Sequence, residues 1–244
     1  MNAHQAIALD GEELWLLADK AIYWPARRAL LIADAHFGKA AAYRRLGQPV
    51  PHGTTATNLR RLDALLATYP CSQVIFLGDF LHARESRAPA TLAALAEWRA
   101  RHAGLEMRLV RGNHDKRAGD PPAALAIETL AEPYLLGPFA LQHEPHPCPG
   151  RRVLAGHLHP VYRLEGRGRQ RLRLPCFCLD DGLLLLPAFG DFTGGMAVDA
   201  LSGRMLYVVG DGGVWQVAGT GGRRQAATAP QEERGEEAQE RGGR

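Results

Sequence analysis

The chain has 244 residues, 46% of them hydrophobic, which is enough for one sizeable core, and a formal net charge of +3. It has no apolar run of about 18 residues, which argues against a membrane-spanning helix. The opening MNAHQAIALDGEE lacks a basic segment followed by an apolar one, so no export signal is read and a cytoplasmic protein is expected. In that compartment Cys71, Cys148, Cys176 and Cys178 are expected as thiols. The small net charge says little about a nucleic-acid partner, but its distribution says more. Residues 27–61 hold seven basic side chains against Asp34, and residues 151–173 hold seven against Glu165. Such stretches would favour a polyanionic substrate; an ordinary arginine-rich surface is the plainer alternative.

In chain order, RRALLIAD predicts a short buried strand ending at Asp34. TTATNLRRLDALLATYP follows, with Leu59, Leu62, Leu65, Leu66 and Tyr69 at helical spacing and Pro70 as the stop. CSQVIFLGD repeats the strand pattern up to Asp79. PATLAALAEWRARHAG predicts a helix from about Pro89 to before Gly104, and LEMRLVRGN a third strand ending at Asn113. Strand, helix, strand, helix, strand is the pattern of an α/β sheet with crossover connections. FALQHE, RRVLAGHLH, RLRLPCFCL, GLLLLPAFG, GGMAVDA and RMLYVVG then predict mostly antiparallel strands, so that two sheets pack face to face. Cys176 and Cys178 would share one face of their strand, as small buried hydrophobes rather than a metal pair. A single domain over 1–221 is expected. Residues 222–244, with balanced charge and little to bury, are expected to be a disordered tail.

Five polar segments fall at or just past predicted strand ends: DAH (34–36), GDFLH (78–82), GNHD (112–115), QH (142–143) and GHLH (156–159). Ligands bind at that edge in open α/β sheets. His4, His52, His102 and His146 lie outside these segments and are expected as ordinary surface or core residues. Imidazole and carboxylate donors suit Mn, Fe or Zn, and the lack of thiols in the motifs argues against a structural zinc site. The donors are too many for one ion. Two ions about 3.5–4 Å apart, sharing a carboxylate and a bridging hydroxide, would clamp the attacking and leaving oxygens of a phosphoryl transfer.

The ordered set D-x-H, G-D, G-N-H-D, lone His and G-H-x-H resembles the calcineurin-like metallophosphoesterase superfamily over about residues 30–160. The resemblance implies an αββα sandwich of two mixed β-sheets flanked by helices. It assigns Asp34, His36, Asp79 and His159 to a first metal, and Asp79, Asn113, His143 and His157 to a second, with Asp79 bridging. It gives His114 contact with the phosphate or the leaving group. Asp115 would hold an imidazole, although it could simply cap the following turn. The family's second motif usually reads G-D-x-x-D, whereas this chain places His82 where the second acid belongs.

GDFLHAR, HFGKAAAYRRLGQPVPHGTT and RLRLPCFCL resemble one bacterial branch, the ligase-associated DNA damage response phosphoesterases or endonucleases, from about Asp10 to Gly210. That branch implies DNA, single-stranded by expectation, as substrate, Mn²⁺ as working metal with Fe or Zn as alternatives, and a repair setting. An ATP-dependent DNA ligase, a helicase and an exonuclease would be functional associates. Lys39, Arg44, Arg45 and Arg84 are candidate phosphate contacts, with solvated surface as the competing reading. No aromatic stripe accompanies them, so no stacking platform is expected. A small-molecule nucleotide phosphodiesterase or pyrophosphatase would use the same machinery. A non-catalytic repair subunit is disfavoured by the complete ligand set.

Overall fold

Apolar runs punctuated by Gly, Asp and Pro turns build two sheets, and the computed structural model describes residues 4–218 apart from 51, 52, 167–169, 192 and 202. The first sheet begins as an antiparallel meander, β1 (His4–Leu9), β2 (Glu12–Leu17), β3 (Ile22–Trp24) and β4 (Ala29–Ala33). The chain continues through α1 (Lys39–Arg45), α2 (Thr54–Thr68), β5 (Gln73–Leu77), α3 (Pro89–Arg101), β6 (Glu106–Val110), α4 (Asn113–Ala118) and β7 (Glu128–Leu130). Strands β4 to β7 are parallel, as the crossover pattern requires. The predicted helices α2 and α3 stand within a few residues of their expected bounds, whereas β1–β3, α1, α4 and β7 are additions to the expected elements.

The second sheet holds β8 (Tyr134–Leu136), β9 (Phe139–Gln142), β10 (Arg152–Ala155), β11 (Val161–Glu165), β12 (Arg171–Asp180), β13 (Leu183–Leu185), β14 (Ala197–Val198), β15 (Met205–Gly210) and β16 (Gly213–Ala218). Most of its pairs are antiparallel, but β10 runs parallel to both β9 and β13, and β11 to β14. The sheet is therefore mixed, and its parallel portion carries the histidine segments.

Alternation along the strands assigns each residue to a layer. Leu30 and Ile32 of β4, Val74 and Phe76 of β5, and Met107 and Leu109 of β6 pack with Leu59, Leu62, Leu65, Leu95 and Trp98 of the helices. Their neighbours Leu31, Ala33, Ile75, Leu77 and Val110 face Phe139, Leu141, Leu154, Phe177 and Leu184 of the second sheet. Burial on both faces is why β4 and β5 read as unbroken apolar runs. On the far face of the second sheet, Cys176 and Cys178 lie with Val153, Ala155, Leu206 and Val208 as fully buried free thiols, which burial pushes up to about 12 and about 11.

The result is an αββα-like sandwich of two mixed sheets flanked by helices. Among the described residues no helix is long and apolar enough to cross a membrane. The expected tail, 222–244, and His52 lie outside the described residues. Phe139 is fully buried between the sheets, with its ring edge-to-face on Trp24 at 5.1 Å. Phe139→Ala is expected to lower stability by about 3–5 kcal/mol in urea unfolding, the range for a large aromatic deleted from a core.

Candidate metal centre

The strand ends align because the parallel strands share register: Ala33 pairs with Leu77, and Leu77 with Val110. Asp34, Asp79 and Asn113 therefore leave the first sheet at one edge. In the second sheet Gln142 pairs with Ala155, so His143, His157 and His159 leave at a common edge as well. The two edges meet, and all seven expected ligands, His36 among them, come together.

The loops reach this arrangement through unusual backbone. Asp34, His36, Asp79, His157 and His159 have φ of 54°, 47°, 52°, 68° and 48°. Non-glycine residues held there cost about 1–3 kcal/mol each and persist where surrounding structure over-determines them. The loops brace one another: the His36 N–H donates to the Asp79 carbonyl and the Phe37 N–H to that of Phe80, both at 2.8 Å. Glycine is required beneath the side chains. A Cβ on Gly156 would stand 2.5 Å from Asp34 Oδ2, and one on Gly78, at φ +77°, would enter the His143 ring.

Hydrogen bonds set the imidazole tautomers. His143 Nδ1–H donates to the Leu77 carbonyl at 3.2 Å, leaving its Nε2 lone pair 2.8 Å from Asn113 Oδ1, 3.0 Å from His157 Nδ1 and 3.5 Å from Asp79 Oδ1. His159 Nδ1–H donates to the Gly194 carbonyl at 3.1 Å, so its Nε2 is also a lone pair. That nitrogen stands 3.2 Å from Asp34 Oδ1, yet both atoms are buried without a hydrogen bond. Two buried, unpartnered polar atoms at that distance are placed to share a cation. On the other side of Asp79, Oδ2 lies 3.8 Å from His36 Nε2, so this carboxylate reaches toward both halves of the site.

Electrostatics agree with the geometry. Burial, then the adjacent Asp34 carboxylate, pushes Asp79 up to about 8. Burial, then Lys39, holds His36 well below the usual imidazole range, and burial also lowers His143. Protein groups alone thus leave buried carboxylates short of positive charge beside imidazoles kept neutral, the form that binds metal. Asp34 with His36 and His159, and Asp34 with Asp79 and His143, each offer ligand atoms within 4.8 Å of one another. The donor set fits two divalent ions.

His114 lies at this centre. Its backbone N–H donates to Asp79 Oδ1 at 2.9 Å, and its Nδ1–H donates to the His82 carbonyl at 2.6 Å, which leaves Nε2 of this half-buried ring uncommitted, 3.9 Å from Asp79 Oδ2. Asp115 departs from the expectation that it holds an imidazole. Its oxygens accept the Gly112 N–H at 3.0 Å and the Leu81 N–H at 3.2 Å, tying the GDFLH and GNHD loops together at the start of α4. Its side chain points inward, and burial pushes it up to about 6. The imidazole of His114 is held by a main-chain carbonyl instead.

His82, which the sequence reading left without a role, belongs to the cluster. Its ring stacks on His114 at 4.8 Å, and its Nδ1 is 3.4 Å from His36 Nδ1. The signal was its place in GDFLH. Lys39 sits in the first turn of α1, buried and within electrostatic range of Asp34 and Asp79 rather than on open surface. Arg44 and Arg45 occupy the last turn of α1, half-buried and exposed, and Arg84 is exposed in the turn after GDFLH. His4 stacks on Trp15, His102 pairs with Asp63 at 2.7 Å, and the exposed His146 pairs with Glu144, so these three stand apart from the centre as expected.

A sandwich with this edge and this donor set defines the class: a phosphoesterase fold built around clustered metal ligands. The model for the calcineurin-like phosphoesterase family matches residues 27–146. The crystal structure of the Pseudomonas putida nuclease MPE is 57% identical, covers 88% of this chain and all of its own, and superposes with a TM-score of 0.77. The chain belongs to the calcineurin-like phosphoesterase family. Aquifex aeolicus AQ665 is 17% identical, over 58% of this chain and 82% of its own, with a TM-score of 0.38. The E. coli phosphoesterase Yfce is 16% identical, over 79% of this chain and 99% of its own, with a TM-score of 0.40. No curated protein matches.

Gly78→Ala is expected to displace His143, lowering both stability, by about 1–3 kcal/mol as for other overpacked sites, and the Mn²⁺ retained after gel filtration. Denaturant unfolding together with metal analysis checks both effects.

Proposed function

We propose that the protein is a metal-dependent phosphodiesterase that cuts single-stranded DNA internally, with Asp34, His36, Asp79 and His159 holding one ion and Asp79, Asn113, His143 and His157 the other. The observation that carries the reading is the pair of buried, unsatisfied acceptors, Asp34 Oδ1 and His159 Nε2, 3.2 Å apart. Bound at this site, two divalent ions, Mn²⁺ in our reading, would activate water and neutralise charge developing on the phosphoryl group. The chain's own residues do the rest. Tautomer-setting bonds from Leu77 and Gly194 aim imidazole lone pairs inward, and Asp115 keeps the loops that carry Asp79 and Asn113 in register. His114 presents its uncommitted Nε2, which would touch a phosphate oxygen or give a proton to the departing oxygen.

A nucleic acid is favoured over a small diester because a relative 57% identical, covered along its whole length, is named a nuclease, and DNA is our choice within that class. Residues 1–221 form one domain in this reading, which works in cytoplasmic DNA repair beside an ATP-dependent ligase, a helicase and an exonuclease. Lys39, Arg44, Arg45 and Arg84 are its outer phosphate contacts, with Lys39 nearest the centre.

Hydrolysis of bis-p-nitrophenyl phosphate should require added Mn²⁺ and stop with a chelator. Asp79→Asn should be the most damaging single ligand change, because that carboxylate reaches toward both halves of the site. Near-native turnover of the variant at limiting metal would remove the bridging role.

His114→Ala should retain its metal and lose about 10²–10⁴-fold in turnover, the range for acid–base assistance. Metal analysis beside kinetics decides, since a loss of bound metal would make His114 a ligand. A substrate with a very good leaving group should recover part of the rate if proton donation is its task.

A further inference from the structure

On the His159 side of the centre lies a cleft of about 200 Å³, lined among others by Lys20, His159, Val161, Pro175, Asp191 and Gly194. Lys20 occupies the β2–β3 turn at φ 63°, a conformation a lysine rarely adopts. Its Nζ stands 3.7 Å from Asp191 Oδ1, the same oxygen that Arg61 Nη1 approaches at 3.4 Å. One carboxylate therefore faces two cations, of which only Lys20 lines the cleft, and Asp19 is a second carboxylate within electrostatic range of Lys20.

The charge continues beyond the cleft. In the β11–β12 hairpin Val161 pairs with Pro175, Arg163 with Arg173, and Glu165 with Arg171. Side chains alternate along a strand, so these three pairs share one face, and the first of them lines the cleft. Arg163 and Arg173 are both exposed, and like charges directly opposite destabilise a strand pair unless something anionic lies over them. Arg163 has no carboxylate partner among the described residues. Arg173 uses one N–H on the Gly195 carbonyl at 2.6 Å and keeps the others, whereas Arg171 is paired with Glu165 at 3.5 Å. Positive groups thus run from the largely buried Lys20 at the cleft to the exposed Arg163 and Arg173 on the hairpin.

We propose that this cleft and hairpin face form a track for the phosphates flanking the scissile bond of a single-stranded polynucleotide, with Lys20 nearest the centre and Arg163 and Arg173 one or two nucleotides out. The proposal rests on the phosphodiesterase reading for the position of the scissile bond, but the charges themselves are independent of metal. No Phe, Tyr or Trp lines the cleft among the described residues, so the track reads backbone rather than bases.

The test is binding without cleavage. Dye-labelled oligothymidylate is titrated by fluorescence anisotropy with the full chain in chelator, across a salt series. The variants are Lys20→Met, Lys20→Arg and the double variant Arg163→Ala/Arg173→Ala, with circular dichroism and retained Mn²⁺ as checks on folding. The double variant should bind roughly tenfold more weakly, and its logarithmic salt slope should fall by about 0.7 for each lost phosphate contact. Lys20→Met should weaken binding, and Lys20→Arg should restore most of it. With Mn²⁺, the double variant should lose more kcat/KM on the oligonucleotide than on bis-p-nitrophenyl phosphate. Wild-type affinity and slope in the variants, equal losses on both substrates, or preferential binding of duplex would overturn the track. If wild type fails to hydrolyse the small diester while binding responds as described, the phosphodiesterase reading falls and the track stands. Hydrolysis with binding indifferent to the substitutions gives the converse.

Discussion

The structure turns on buried negative charge that the protein itself does not balance. Asp34 and Asp79 lie inside the molecule, side by side, among imidazoles whose protons are committed outward to main-chain carbonyls. A charge in such surroundings is costly unless something positive compensates it. Among the described residues the buried Lys39 supplies part of that compensation, and the clustered Asp and His donors are suited to an ion that would supply the rest. The left-handed backbone of five site residues and the glycines beneath Asp34 and His143 follow from the same demand, since five loops must crowd their side chains into one small volume.

Two sheets with aligned parallel strands make the crowding possible. Parallel neighbours end together, so one edge of the first sheet delivers Asp34, Asp79 and Asn113, and one edge of the second delivers three histidines. The inter-sheet core of Leu31, Ile75, Phe139, Leu154 and Phe177 sets the distance between these edges. Packing far from the chemistry therefore governs ligand geometry. Around the centre the charge changes sign: buried acids at the middle, then Lys39, and then Lys20, Arg163 and Arg173 on the approach. In the function proposed, a polyanion would meet positive charge first and the candidate metal ligands last.

Some residues became intelligible only through their contacts. Asp115, next to His114 in sequence, faces away from it and holds two loop amides, because the first turn of α4 aims that side chain back at the backbone. His82 stands where an acid is usual, and its value lies in a carbonyl and a ring face, both offered to His114. Neither spacing nor residue type reports such main-chain roles. Lys20 carried no signal at all: it sits in a turn of the N-terminal meander, remote in sequence from every motif, and reaches the centre through the packing of that turn near Asp191.

What the sequence by itself determined is the alternation of strands β4, β5 and β6 with helices α2 and α3, the gathering of seven candidate ligands and His114 at strand ends, and the two-sheet class. The elements and the strand-end polar segments rest on local information: apolar periodicity, helix stops at Pro70 and Gly104, and polar residues within four positions of a strand end. The choice of individual ligands rests on the family resemblance. The tertiary structure decided which strands of the second sheet run parallel, how the meander β1–β3 extends the first sheet, which imidazole nitrogen faces inward, and that Arg163 stands opposite Arg173. These depend on pairing and register between distant segments, and register is set by the burial of whole faces rather than by any one stretch of chain.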